Sequence, residues 1–382
     1  MIPKRNYYAP DVLERESERV FKTGYQYVGL TDDLANNRDF VCVDHFGASI
    51  VVQNFKGELR AFQNVCSHMF SKIQFEERGN RPLLCRYHGW SYDETGYPAG
   101  MPRRADFLER AQRDERLCLT SYKVETAGKF VFIRRDDSAP SLRDFLGNFH
   151  EVLVDFSRYL GPEIYYGNMR HAANWKLLVE NVVDKGHCSI LHKDSFVPLG
   201  FCRLDVEDVV IDCGHSSHHV PRTEVEEESV RRRFLAHLKS REFHHDSFYH
   251  INIFPNLLLA STEGISFYVG HVLPIGPDET ILRIRYFEPK VELTAPRHRA
   301  RQDMLNEQTN QNGIAIIDED RVVLESIQQA IKVADGPGRV GRSEQRIHAF
   351  HHHYMKLMEG TVAPAHVSPA VTEIVEANAR GR

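Results

Sequence analysis

The first periodic stretch of the chain runs over residues 10–22. Val12, Leu13, Val20 and Phe21 are the apolar positions of a predicted helix, with Pro10 near its start. From about Gln26 to Ile133 the pattern changes to short apolar runs broken by turns. Phe40-Val41-Cys42-Val43 and Ser49-Ile50-Val51-Val52 read as strands. Lys56-Gly57 reads as a hairpin turn before Leu59-Arg60-Ala61-Phe62, Glu94-Thr95-Gly96 as a second turn, and Lys129 to Ile133 closes the block. Residues 136–141 have the composition of a linker. Helix signals follow near 141–158, strands recur within 250–290, and helices are expected over 297–332 and 343–358. The tail from about Pro364 is expected to pack loosely. An all-β block followed by strands mixed with long helices predicts an α+β chain.

Its 382 residues suit two domains, and no internal repeat is visible. With 48 basic and 53 acidic side chains the net charge is -5, and no basic block points to nucleic acid or an anionic membrane. No apolar run approaches the roughly 18 residues that span a bilayer. The first residues lack the apolar core of a signal peptide, so a cytoplasmic location is expected. Seven cysteines, an odd count without framework spacing, argue against disulfides. Cys42, Cys118, Cys188, Cys202 and Cys213 therefore read as buried thiols. His351, His352 and His353, and the group His215, His218, His219, His244 and His245, read as solvated residues. Gly336-Pro337-Gly338-Arg339-Val340-Gly341 has dinucleotide-loop spacing, but it follows a helix and contains Pro. The chain is not expected to take electrons from NAD(P)H itself.

Four residues carry the clearest chemistry. Cys66-x-His68 is followed, after sixteen intervening residues, by Cys85-x-x-His88. Two thiolates and two imidazoles in mixed pairs suit a Rieske [2Fe–2S] cluster, with Cys on one iron and His on the other. The rival is structural zinc, which more often takes both Cys from one pair and both His from the other. Gly89 and the aromatics Trp90 and Tyr92 after His88 suit a shielded cluster loop.

A second constellation lies further on. In 174–192, Leu177, Asn181, Asp184 and His187 share a helical face, and His192 follows His187 by five. In an ideal helix the two imidazoles would point about 140° apart. To bind one metal, the helix must widen into a π-type turn or end between them; otherwise they are separate, satisfied histidines. In 313–332 the apolar stripe Ile317, Leu324, Ile327 and Ile331 also contains Asp320. A core-facing carboxylate needs a cation, backbone amides or a metal. His187, His192 and Asp320 would form a 2-His-1-carboxylate set for Fe(II).

Taken with these motifs, the chain resembles the catalytic α subunits of Rieske non-heme iron oxygenases over nearly its full length. Cys66, His68, Cys85 and His88 match the cluster motif. Glu180, Asn181, Asp184, His187 and His192 match the iron motif, and Glu319, Asp320, Glu325 and Gln328 the C-terminal one. The resemblance implies an N-terminal helix (1–37) packing on the catalytic domain. It implies an all-β Rieske [2Fe–2S] domain (38–138) and a helix-grip catalytic domain with an antiparallel sheet (139–382). It further implies a [2Fe–2S] cluster, a mononuclear Fe(II), and a ferredoxin or flavin reductase that supplies electrons from NAD(P)H. A head-to-tail homotrimer would pass electrons from His88 of one subunit through Asp184 to His187 of the next, with Asn181 also in the catalytic set. The implied reaction is hydroxylation of a small organic substrate with O₂. Alternatives are N- or O-demethylation, quaternary-amine monooxygenation or, in another class, electron carriage alone. Met69-Phe70 stand where the family usually has Arg-Gly, and Arg86 where it often has Pro. These bear on loop packing, redox potential and reductase docking. Phe254, Asn256, Leu258, Ser261 and His271 are candidate cavity residues.

Overall fold

Short β-branched and aromatic runs joined by tight turns dominate one part of the chain, and there they form a single antiparallel sheet. In the computed structural model, residues 1–45, 48–108, 113–135, 140–202, 208–221, 247–293 and 295–360 are described. The chain divides into two units, Phe21–Arg143 on one side and Met1–Val20 with Asp144–Arg382 on the other.

The β unit contains β1 (Gln26–Leu30), β2 (Asp39–His45), β3 (Ala48–Phe55), β4 (Glu58–Gln63), β5 (Arg78–Asn80), β6 (Ser121–Ala127) and β7 (Phe130–Arg134). Their order is β1-β7-β6-β4-β3-β2-β5. The expected Lys56-Gly57 turn joins β3 to β4 with both residues at positive φ, 54° and 102°, which matches the twist of a two-residue hairpin. The unit starts at Phe21 rather than at residue 38, because β1 pairs with β7 from Gln26↔Ile133 to Leu30↔Phe130. A helical reading of the chain start could not see that long-range pairing. Cys66 and Cys85 belong to the core of this unit, with Phe40, Val51, Phe62 and Trp90.

The second unit contains α1 (Pro10–Glu16), α2 (Leu142–Leu146), α3 (Phe149–Arg158), α4 (Trp175–Val183) and α5 (Cys188–Leu191). A long helix, α6 (Pro296–Ile331), and a final one, α7 (Gln345–Glu359), complete its helical part. Gly147, at φ 52°, breaks the expected 141–158 helix into α2 and α3. The sheet runs β8 (Leu160–His171), β14 (Glu279–Pro289), β13 (Ser266–Gly276), β12 (Leu257–Thr262), β11 (Ser247–Ile253), β10 (His215–Pro221), β9 (Val209–Asp212), all antiparallel. Alternation along each strand gives the sheet two faces. Phe267 meets Phe156 of α3 on one face, whereas Tyr268 and Tyr286 face α6. At Gly313 of α6 a Cβ would overlap the Tyr286 hydroxyl, so the helix can lie this close only because that residue is glycine. The result is a long helix packed closely on an antiparallel sheet.

Several expectations need correction. Only Leu324 of the apolar stripe on α6 is fully buried, and Ile327 is 40% exposed. The histidine clusters are not solvated. His215 and His218 are buried on β10, and His351 and His353 on the inner face of α7. Two of them are satisfied locally: His215 bridges Phe145 O and the Phe254 amide, and His351 bonds Glu180. Consecutive histidines look polar in sequence, but burial favours the neutral imidazole, which carries no charge into the core. His244 and His245, part of the linker (136–139) and the tail from 361 lie outside the described residues.

The centre of this unit holds an ion pair with both side chains inaccessible, Lys176 Nζ to Glu16 Oε1 at 2.6 Å. Trp175 Nε1–H donates to the same carboxylate at 2.9 Å and the Tyr354 hydroxyl at 2.5 Å. The ammonium also lies over the rings of Tyr7, Trp175 and Tyr354. The network ties α1, α4 and α7 together. Removing one member would strand a buried charge at a cost of about 3–5 kcal/mol. Lys176→Met is expected to destabilise the protein by that amount in urea titrations followed by circular dichroism. The double variant Glu16→Gln/Lys176→Met should recover most of the loss.

Candidate metal centres and substrate cavity

The two cluster loops repeat one backbone design. The Phe70 amide donates to Cys66 O at 2.9 Å, and the Gly89 amide to Cys85 O at 3.0 Å. Both closing residues take positive φ, 61° at Phe70 and 73° at Gly89. Glycine does so freely, whereas for Phe the left-handed region costs about 1–2 kcal/mol. The Met69-Phe70 departure therefore keeps the loop shape and adds strain, with Phe70 81% exposed. Arg86 pairs with Glu76 at 2.7 Å on the surface.

Cys66 and Cys85 are free and buried. Burial raises the Cys66 thiol, and Cys85 beside it adds to the effect, while the Tyr92 hydroxyl, 3.1 Å from Cys66 Sγ, acts against it. The imidazoles of His68 and His88 meet edge to face at 4.6 Å, and His68 stacks on Trp90 at 4.9 Å. His68 Nδ1 is buried without a hydrogen-bond partner among the described residues. An orphaned inward ring nitrogen, a second imidazole against it and two buried thiols form a donor set that fits a [2Fe–2S] cluster with mixed ligation.

The sequence left open how His187 and His192 could face one metal. α4 ends at Val183, and Asp184 is extended with ψ 136°. The single turn α5 then carries His187 on its leading edge and His192 on its trailing edge, where ψ swings to 31°. His192 Nε2 lies 3.0 Å and His187 Nε2 3.6 Å from Asp320 Oδ1 on α6. The ligating atoms of all three residues lie within 4.8 Å of one another. Asp320 Oδ1 is buried and accepts no well-aligned hydrogen bond from a described residue.

Carboxylates orient both rings. Asp184 Oδ2 accepts from His187 Nδ1–H at 2.8 Å, and Glu319 Oε2 from His192 Nδ1–H at 2.7 Å and from Ser195 Oγ–H at 2.7 Å. Each Nδ1 therefore carries the proton and each Nε2 offers a lone pair, the tautomer a metal requires. Burial pushes the Asp184 carboxyl up, but the His187 ring and the Gly186 and His187 amides override it and hold it below the ordinary value. Burial alone would lower His192, yet Asp320 and Glu319 raise it. The donor set fits Fe(II), with two imidazoles, one carboxylate and room on the cavity side.

The other motif residues brace this arrangement. Glu180 accepts from Tyr7 and His351, Gln328 joins the Asn174 amide to Tyr7 O, and Glu325 accepts from the Ala172 amide. They fix α4 relative to α6, and with it the spacing between the two histidines and Asp320.

His187, His192, Asp184, Asn181 and Asp320 all line a cavity of about 890 Å³. Of the five candidate cavity residues, only Leu258 lines it. Strand alternation turns Leu258, Ala260 and Thr262 inward and Ser261 away, Phe254 packs on Phe350 and His353, and Asn256 bonds Val272 O. Cys188 and Cys202, both in the lining, form a disulfide. The expectation that Cys188 and Cys202 are buried thiols is thus wrong, since spacing cannot report contacts made across a loop. Cys42 and Cys213 are buried thiols as expected, and Cys118 is half-buried.

One unit thus carries a donor set suited to a [2Fe–2S] cluster, and the other carries a donor set suited to Fe(II) beside a cavity. The ring hydroxylating alpha subunit (catalytic domain) family matches residues 160–360, and the Rieske [2Fe–2S] domain family matches 24–123. The chain belongs to the Rieske non-heme iron oxygenases, as an alpha subunit carrying a [2Fe–2S] cluster and a mononuclear iron. The glycine betaine monooxygenase oxygenase subunit of Pseudomonas aeruginosa is 27% identical over 54% of this chain and 47% of its own length. The anthranilate 1,2-dioxygenase large subunit of Acinetobacter baylyi is 30% identical over 50% of this chain and 42% of its own. The chain thus spans about half the length of the curated relatives it matches. Among solved structures, a quaternary ammonium Rieske monooxygenase superposes with a TM-score of 0.75 at 22% identity, covering 94% of this chain and 95% of that one. Naphthalene 1,2-dioxygenase from Rhodococcus sp. gives 0.73 at 21%, covering 94% of each chain.

Glu319→Ala frees the His192 ring while leaving all three iron ligands in place. Loss of such an outer partner typically costs about 10–100-fold in metal affinity. The variant is expected to lose its mononuclear iron to a chelator first, read as iron per chain after dialysis, with the cluster absorption unchanged.

Proposed function

We propose that this chain is the terminal oxygenase component of a system that hydroxylates a small organic substrate. In this reading Cys66, His68, Cys85 and His88 hold the cluster, and His187, His192 and Asp320 hold the iron. The observation that carries it is the convergence of two carboxylate-oriented imidazoles and an unsatisfied Asp320 oxygen on one wall of a largely apolar cavity. The bound metals supply the electron and the activation of O₂. The chain supplies position. Asp184, anionic at neutral pH, keeps the proton on His187 Nδ1, and Glu319 does the same for His192. Asn181 lines the cavity beside Asp184. Apolar walls keep bulk water from the reacting carbon.

Electrons arrive from a separate ferredoxin or flavin reductase and pass between subunits of a head-to-tail trimer, from His88 through Asp184 of the neighbour. Two features support this reading. His88 is exposed, and around it Met69, Phe70, Phe75 and Tyr87 are each more than half exposed, an apolar rim of the kind that marks a contact surface. One similar structure is described as revealing inter-subunit electron transfer.

Hydroxylation of an aromatic ring or of a C–H bond is the first reading of the chemistry. A second, oxidation of a quaternary amine, gains support from Phe196, Phe201 and Phe248, whose rings lie 5.1–6.1 Å apart in the lining and could face a cation. Relatives named for glycine betaine and carnitine monooxygenation point the same way.

Purified protein is expected to be red-brown with about three irons per chain, two in the cluster and one mononuclear. About two irons would instead favour an electron carrier, and colourless zinc protein a binding protein. Asp184→Ala should keep the cluster spectrum but lose at least about tenfold of substrate-coupled O₂ uptake. Full activity in that variant would rule out the relay.

A further inference from the structure

Arg346, in the first turn of α7, lines the cavity and is 6% exposed. Its Nε donates to Ser216 Oγ at 3.0 Å, and its Nη2 to His250 Nδ1 at 2.9 Å and to Ser216 O at 3.4 Å. These partners are all neutral. No described carboxylate pairs with the guanidinium, and Nη1 has no partner among the described residues. Burial lowers its pKa to about 9, which still leaves it a cation at neutral pH. A charge withdrawn from water without a counter-charge is costly, and folded proteins seldom keep one without a use.

Two imidazoles share its setting. His218 and His250 are cross-strand partners on β10 and β11, both buried and both in the cavity lining. His250 Nδ1 accepts from Arg346, so its proton sits on Nε2, and that atom is buried with no described partner. His218 Nδ1–H donates to Asp208 O at 3.1 Å, so its Nε2 is a bare acceptor, also buried and unpartnered. Burial first and the Arg346 charge second keep both rings neutral, with His218 pushed down to about 4. Of the cavity's acidic lining residues, Asp184 and Asp320 are engaged at the iron site, and Glu307 makes no ion pair with Arg346. The lining of a largely apolar chamber therefore presents a cation, an N–H donor and a nitrogen acceptor, all buried and incompletely used among the described residues.

We propose that Arg346 and His250 Nε2–H form an anion anchor, and that the molecule seated in the cavity is a carboxylate with an apolar body. His218 Nε2 accepts from a hydroxyl, amine or water next to the carboxylate. That this molecule is the substrate rests on the oxygenase reading; the anchor itself does not. The anchor also narrows that reading, since a quaternary amine would have to carry an acid group as well.

Matched probes test it by calorimetry on the anaerobic, reduced holoenzyme: benzoate against benzamide, and 3-phenylpropanoate against its amide. Each acid is expected to bind at least about tenfold more tightly than its amide, about 1.4 kcal/mol. Arg346→Gln should erase that preference without moving amide affinity, and Arg346→Lys should keep part of it. If Arg346 merely staples α7 to β10, Arg346→Gln lowers the melting temperature and leaves acid-over-amide selectivity intact, which overturns the anchor. Equal binding of acid and amide by the wild type, or no saturable binding of any acid, overturns it without recourse to a variant. O₂ uptake with a surrogate reductase separates the two readings. Acids that bind through Arg346 yet never drive uptake would leave the anchor and sink the oxygenase. Uptake driven only by uncharged or purely cationic compounds, at unchanged rates in Arg346→Gln, would do the reverse.

Discussion

The active region depends on one constraint: two imidazoles must present bare Nε2 atoms to a common point. A free histidine shares its proton between its two nitrogens, so something has to hold that proton on the far side. Asp184 and Glu319 do this, at 2.8 and 2.7 Å. Each carboxylate is itself held, Asp184 by the Gly186 and His187 amides and Glu319 by Ser195. The bracing by Glu180, Glu325 and Gln328 then acts on the helices and not on the metal. Around three ligands the chain spends many polar residues on orientation, because a metal site tolerates little drift in its donors.

Buried charge is handled in two opposite ways in the same unit. Lys176 and Glu16 are fully withdrawn from water, but they have each other, two further hydrogen bonds to the carboxylate and three aromatic faces against the ammonium. That network is complete and structural. Arg346 is almost as buried and has only neutral partners among the described residues. Among the described residues, then, one interior cation has a counter-charge and the other has none. The unmet requirement lies on the wall of the cavity, where a ligand can meet it.

Much of this architecture was legible in the order of residues. The lengths of α6 and α7, the Lys56-Gly57 hairpin and the all-β texture of the first unit follow from local periodicity and turn chemistry. The two mixed Cys/His pairs were legible because ligand spacing within a loop is a local property. Legibility ended wherever the answer depended on a partner far along the chain. The pairing of β1 with β7 moved a domain boundary. Cys188 and Cys202 met across a loop. Histidines that looked solvated became core residues once β10 and α7 packed. Leu258 faced the cavity while Ser261 turned away, a choice set by strand register and invisible in composition.

By itself, the sequence determined the donor atoms: which thiols, imidazoles and carboxylates exist, and which of them lie close enough in the chain to serve one centre. It also determined that an ideal helix could not aim His187 and His192 at one metal. Only the tertiary structure decided how that conflict resolves, by ending α4 at Val183 and placing both histidines at the edges of a single turn against Asp320 of α6. The same packing made Arg346 a buried cation in a cavity wall. Local spacing fixes which groups can act together, but desolvation and the presence or absence of a counter-charge arise only when distant segments close around a group.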